Sequence, residues 1–156
     1  MKDLTIKNKR ILAVDGDVTF LSILEKEILE NYPECWVDTA TGFEQAREMI
    51  QMYTYDVVIL DVEKEPGSEV VGLVSGRGCW MLLITEDKTD TTTKVRHVAS
   101  GHKGIVPRNE IRQVRPRIRE ALEAGFLRRY KRYFWKLTRA SGMGSLDTAV
   151  HNFIFY

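Results

Sequence analysis

The chain has 156 residues, 44% of them hydrophobic and 29% charged, an ordinary globular mix with enough length to bury a core without staples. No apolar run approaches the roughly 20 residues of a membrane span, and the charged, polar residues 1–10 read as no secretory leader, so the cytoplasm is the expected compartment. The net charge of +1 hides an asymmetry, because residues 1–107 carry 12 Lys and Arg against 18 Asp and Glu (−6), whereas residues 108–140 carry 11 against 3 (+8). An acidic body with a basic segment speaks to partners rather than to fold. Cys35 and Cys79 have no metal-ligand spacing, and His97, His102 and His151 do not cluster with them. Both read as small buried thiols.

Arg10–Asp15 is a short apolar run that ends in an acid. Val18, Leu21, Leu24, Ile28 and Tyr32 follow at helical spacing, and Pro33 stops that helix. Residues 35–39 read as a second strand, and Phe43, Ala46 and Ile50 mark a second helix. Asp56–Asp61 is apolar through its middle, as a strand buried on both faces is. Gly67, Gly72, Gly76 and Gly78 punctuate the next stretch, so a third helix is expected as a remnant or not at all. Trp80–Thr85 is a fourth strand, Asp87–Ala99 a weaker helix with Val95, Val98 and Ala99 inward, and Gly104–Pro107 a short fifth strand. A long helical pattern runs from about Pro116 to Ala140, with Pro116 suited to a first turn.

Strands separated by helices imply right-handed crossovers and a parallel sheet. The fold class is therefore α/β, an open, doubly wound, five-stranded parallel sheet. Sites in such sheets lie outside the carboxyl ends of the strands. Asp15, Asp61 and Thr85 end three strands, and Arg108 follows the fifth. Two carboxylates side by side repel unless a cation sits between them. Oxygen ligands at a shallow, wet site suit Mg²⁺. A carboxylate beside such a metal is also a nucleophile for a phosphoryl group, whose oxygens Thr85 and Arg108 can bind.

These residues resemble the response-regulator receiver domains of two-component signalling. The matching pieces are Ile11–Asp15, Tyr55–Asp61, Leu83–Thr85 and Gly101–Gly104 with Arg108 four residues on, within roughly residues 8–122. The resemblance implies the flavodoxin-like strand order 2-1-3-4-5. It also implies Asp61 as phosphoacceptor, Thr85 as switch hydroxyl and Arg108 at the position of the family's lysine. Mg²⁺ is the implied cofactor, held by Asp15, Asp61 and Glu63 through side chain or backbone. A histidine kinase or phosphotransfer protein is the implied donor, and a downstream protein the target.

Several positions depart from the family pattern. The second acid of the family's adjacent pair is Gly16 here, and Asp17 comes one residue late. Asp17 reads as a helix N-cap. Arginine for lysine at Arg108 keeps the charge and changes the geometry. Glu86 stands where the family has a small residue, and Glu63 adds further negative charge.

Three functional readings follow. The first is a single-domain receiver that accepts a phosphoryl group on Asp61, switches a docking surface and needs no enzyme activity beyond self-phosphorylation. The second is a pseudo-receiver, a phosphorylation-independent interaction scaffold. The third is a haloacid-dehalogenase-like phosphatase, because Asp15-Gly16-Asp17 also looks like that family's opening motif. This last reading leaves Asp61 unexplained, and the late acids Glu110, Glu120, Glu123 and Asp147 end no strand.

The receiver is expected over residues 1–122, with a helical extension and apolar tail over 123–156. Leu122, Phe126, Tyr130, Phe134 and Leu137 fall on one helical stripe, with Arg128, Arg129, Lys131, Arg132 and Lys136 mostly off it. Such a stripe is best explained by burial against a second copy of the chain, as in a homodimer, or against the tail. Nucleic-acid contact is the lesser reading, because no helix-turn-helix pattern follows.

Overall fold

Arg10–Val14 (β1), Trp36–Ala40 (β2), Val57–Asp61 (β3), Trp80–Thr85 (β4) and His102–Pro107 (β5) form one sheet. All neighbouring pairs are parallel, in the order β2-β1-β3-β4-β5. That is the doubly wound order expected of the flavodoxin-like fold. The structure, a computed structural model, describes residues 6–61, 68–86 and 102–123, which belong to one compact unit, Met1–Glu123. Glu63, the helix expected over Asp87–Ala99 and the aromatic and basic stretch beyond residue 123 lie outside the described residues.

The central strands are apolar on both faces because both are covered. Ile11, Ala13, Val57, Ile59, Leu82 and Ile84 point to one side, where Val18–Asn31 (α1) and a helix over 114–123 (α4) supply Leu21, Leu24, Ile28, Val114 and Ile118. Leu12, Val14, Val58, Leu60, Met81 and Leu83 point to the other. There Phe43–Met52 (α2) and Ser68–Gly76 (α3) supply Ala46, Ile50, Val70 and Val74. Successive residues of a strand thus feed two separate cores. Among the described residues no helix is long and apolar enough to cross a membrane.

The third helix corrects the sequence expectation. It is a nine-residue helix rather than a remnant. An added Cβ at Gly72 or Gly76 would meet nothing within 4 Å, while Val70 and Val74, one turn apart, are 2% and 0% exposed. The glycines cost this helix about 1 kcal/mol each in propensity. Burying two valines against the sheet outweighs that cost, since packing of one face supplies most helical stability in proteins. The last helix also starts earlier than expected. A 3-10 turn over Arg108–Gln113 leads from β5 directly into α4, and Pro116 lies in the first turn of α4. Gly104 in β5 sits at a close approach: a Cβ there would stand 3.0 Å from Leu82 Cδ1 and 3.4 Å from Arg117 Cδ, so those side chains would have to shift.

Candidate functional site

Asp15 lies immediately after β1, Asp61 ends β3 and Thr85 ends β4. β1 and β3 are hydrogen-bonded neighbours, and so are β3 and β4. The strand order therefore gathers all three residues at the carboxyl edge. Each is almost wholly buried, at 4%, 3% and 1% exposure, and they are the polar residues buried most deeply among those described.

Arg108 joins this cluster from the far side of the sheet. Thr85 pairs in register with Pro107, so the next residue emerges beside the end of β4. The 3-10 turn that begins there sends the Arg108 side chain back over the sheet edge. Its Nη2 donates to Asp15 Oδ2 at 2.5 Å and to Asp61 Oδ2 at 3.1 Å. Nη1 lies 3.7 Å from Asp17 Oδ2, and Nε lies 3.6 Å from Glu86 Oε1. The ring of Phe20, on α1, covers one face of the guanidinium at 4.1 Å from its centroid. A planar cation with several donors suits such a setting, where a lysine would offer one point charge.

The loop after β1 is held by its own acids. The Asp17 amide donates to Asp15 Oδ1 at 2.8 Å. Asp17 Oδ1 in turn accepts from the amides of Thr19 and Phe20, at 3.0 and 3.1 Å. Asp17 is thus the N-cap of α1, as its position one residue late in the motif predicts. Gly16 is exposed and supplies no side-chain oxygen.

The donor set required for a resident Mg²⁺ is not assembled among these residues. Asp15 and Asp61 converge, yet the group they converge on is the Arg108 guanidinium. The position of the second acid is a glycine, and the nearest other acid on that loop is committed to capping a helix. Among the described residues no group of three or more His, Cys, Asp or Glu is arranged to hold a metal ion. Of the late acids of the phosphatase reading, Glu110 accepts from Gln113 and Glu120 pairs with Arg117 at 3.1 Å on the surface, while Asp147 lies outside the described residues.

One contributor, Phe20, escapes a reading of the sequence alone. It lies on the buried face of α1 with Leu24 and Ile28, where it reads as core, and shows its role in the site only where it meets Arg108. Glu86, which stands where the family has a small residue, lies at the rim of the site beside the guanidinium, with its side chain 68% exposed. Charged and exposed, it tolerates the position because water reaches it.

No protein-family model matches the chain, and no curated protein matches its sequence. Solved structures do match it. A response regulator protein, TrrA from Thermotoga maritima, solved in complex with Mg²⁺ and BeF, is 25% identical, with a TM-score of 0.58 over 73% of this chain and 99% of its own. A response regulator receiver domain protein (CheY-like) from Methanospirillum hungatei is 20% identical, with a TM-score of 0.63 over 76% of this chain and 96% of its own. The N-terminal domain of a response regulator/sensory box/GGDEF 3-domain protein from Carboxydothermus hydrogenoformans is 18% identical, with a TM-score of 0.65, covering 77% and 98%.

Proposed function

Because the chain has the receiver-domain fold of response regulators, we propose that it is a receiver-type module of two-component signalling, which passes a signal on by docking a protein partner, with the Asp15–Asp61–Arg108 cluster as its control point. One observation carries this reading: a single guanidinium nitrogen binds two buried carboxylates from neighbouring strands at the carboxyl edge of the sheet. Buried charges are costly, and a structural role alone is met more cheaply by apolar packing. Their concentration at the edge where such sheets carry their sites supports a functional origin.

The geometry favours the phosphorylation-independent form of this module. Asp61 already holds a cation, and the loop beside it does not assemble the family's acid pair. The cluster then acts as a fixed scaffold for the loops that meet a partner.

A second reading is favoured by the placement of Thr85. It is buried at the end of the strand next to Asp61, as the resemblance requires of a switch hydroxyl. In that reading a histidine kinase or phosphotransfer protein is the donor. An Asp61 oxygen bonds to phosphorus as the phosphorus–nitrogen bond to the donor imidazole breaks, and the imidazole nitrogen takes up a proton. Arg108 then exchanges the carboxylate for a phosphoryl oxygen.

Intact mass after incubation with a small-molecule phosphodonor and Mg²⁺, with Asp61→Asn alongside, separates the two. Unchanged mass in both proteins is the expected result. A gain of one phosphoryl group that Asp61→Asn abolishes moves the assignment to the second reading.

A further inference from the structure

We infer that Arg108 is the resident cation of this site, standing in for the divalent metal, so that the carboxyl edge of the sheet closes without Mg²⁺. The inference rests on the receiver reading above and names how that site is controlled.

The guanidinium has little room to be anything else. Nη2 bridges Asp15 and Asp61, Nη1 and Nε face Asp17 and Glu86, and the Phe20 ring covers one planar face. With its side chain 19% exposed, the group is wedged rather than free in solvent. A metal entering between the two aspartates would have to displace an arginine that is part of the same chain. A tethered competitor acts at a high effective concentration and leaves little water to strip. Mg²⁺ dehydrates reluctantly and asks for near-octahedral oxygens. Gly16 offers it none from a side chain, and of the Asp17 oxygens Oδ1 is held by the α1 amides while Oδ2 faces Arg108 Nη1 at 3.7 Å.

Two substitutions should undo this arrangement. Gly16 is exposed and does not adopt a positive φ, the conformation that would exclude other residues, so Gly16→Asp is compatible with the backbone. Arg108→Lys keeps a cation at the same place and removes the multi-edged grip on the acids. The experiment is thermal unfolding of the full chain across a series of Mg²⁺ concentrations at constant ionic strength, with Ca²⁺ and Na⁺ series for comparison. Wild type is expected to show no Mg²⁺-dependent rise in Tm. The Gly16→Asp/Arg108→Lys variant is expected to gain one, growing with the logarithm of Mg²⁺ concentration as linkage requires. Adding Asp61→Asn to that variant should remove the gain.

A Mg²⁺-dependent rise in wild type equal to that of the variant overturns the inference. So does a folded double variant, shown by a cooperative transition and unchanged circular dichroism, that gains no Mg²⁺ response, since Gly16 and Arg108 are then not what keeps the metal out. Neither measurement uses a phosphodonor or a partner. Failure of this inference therefore leaves the docking reading standing, and the mass measurement tests separately whether that docking is independent of phosphorylation.

Discussion

The two ends of the sheet carry clusters built from the same residue types, and solvent makes them different. At the amino end, Arg10 Nε donates to Asp38 Oδ2 at 2.7 Å, and the Tyr55 hydroxyl donates to the same oxygen at 2.9 Å. The Arg10 guanidinium lies over the Tyr53 ring, 3.9 Å from its centroid. Lys9 pairs with Asp56 at 3.3 Å. The Arg10 and Asp38 side chains remain 32% and 26% exposed, so water replaces a partner that is lost. At the carboxyl end, the Asp15 and Asp61 side chains are 2% and 3% exposed and share Arg108. Water has no comparable access there. An ion pair's worth is set by what would replace it, and that differs between the two ends.

The largest expected contrast comes from removing each arginine. Arg108→Ala should lower unfolding stability by about 3 kcal/mol, because two buried carboxylates lose the cation they share. Arg10→Ala should cost only about 0.5 kcal/mol, since Asp38 is hydrated and keeps the Tyr55 hydroxyl. Urea denaturation of both variants checks the pair. Equal losses would break the comparison.

Asp61→Asn sharpens it at smaller scale. The amide oxygen still accepts from Arg108, and the bond to Asp15 is untouched. A loss of about 1 kcal/mol is expected, the worth of one ordinary hydrogen bond rather than of a buried charge. A loss as large as that of Arg108→Ala would mean that Asp61, not Arg108, organises the cluster.

The smallest effect is one of pH, at the amino end. Burial first, and then the hydrogen bond to Asp38, raise the Tyr55 phenol above its ordinary value of about 10. The folded chain therefore keeps this proton after the unfolded chain has lost it. The contribution is complete below about pH 10 and declines as pH rises from there toward the raised folded value. Tyr55→Phe should flatten that alkaline decline without altering the neutral-to-acid limb. Stability measured against pH for both proteins reads the difference.

Much of the placement of the edge residues is legible in the sequence. Acids that end apolar strands, in a chain that alternates strand and helix, must meet at one edge of a parallel sheet. Asp17 was legible as a cap because capping is local: its oxygen reaches amides two and three residues on. The third helix is not legible in the sequence, for the opposite reason. Its glycines argue locally against a helix, and the burial of Val70 and Val74 that overrides them is a tertiary fact.

The sequence by itself determined the strands, their alternation with helices, the order that makes the sheet parallel, and which residues stand at its carboxyl edge. These follow from side-chain periodicity and from crossovers with one hand. Only the tertiary structure decided what the edge residues do to each other. The bond from Arg108 to Asp15 spans 93 positions of the chain. It depends on strand register, on a 3-10 turn that throws a long side chain back across β4, and on Phe20 arriving from α1 to cover it. None of those distances is encoded by neighbours along the chain, and it is the tertiary structure that brings a cation expected to bind a phosphoryl oxygen into contact with both acids.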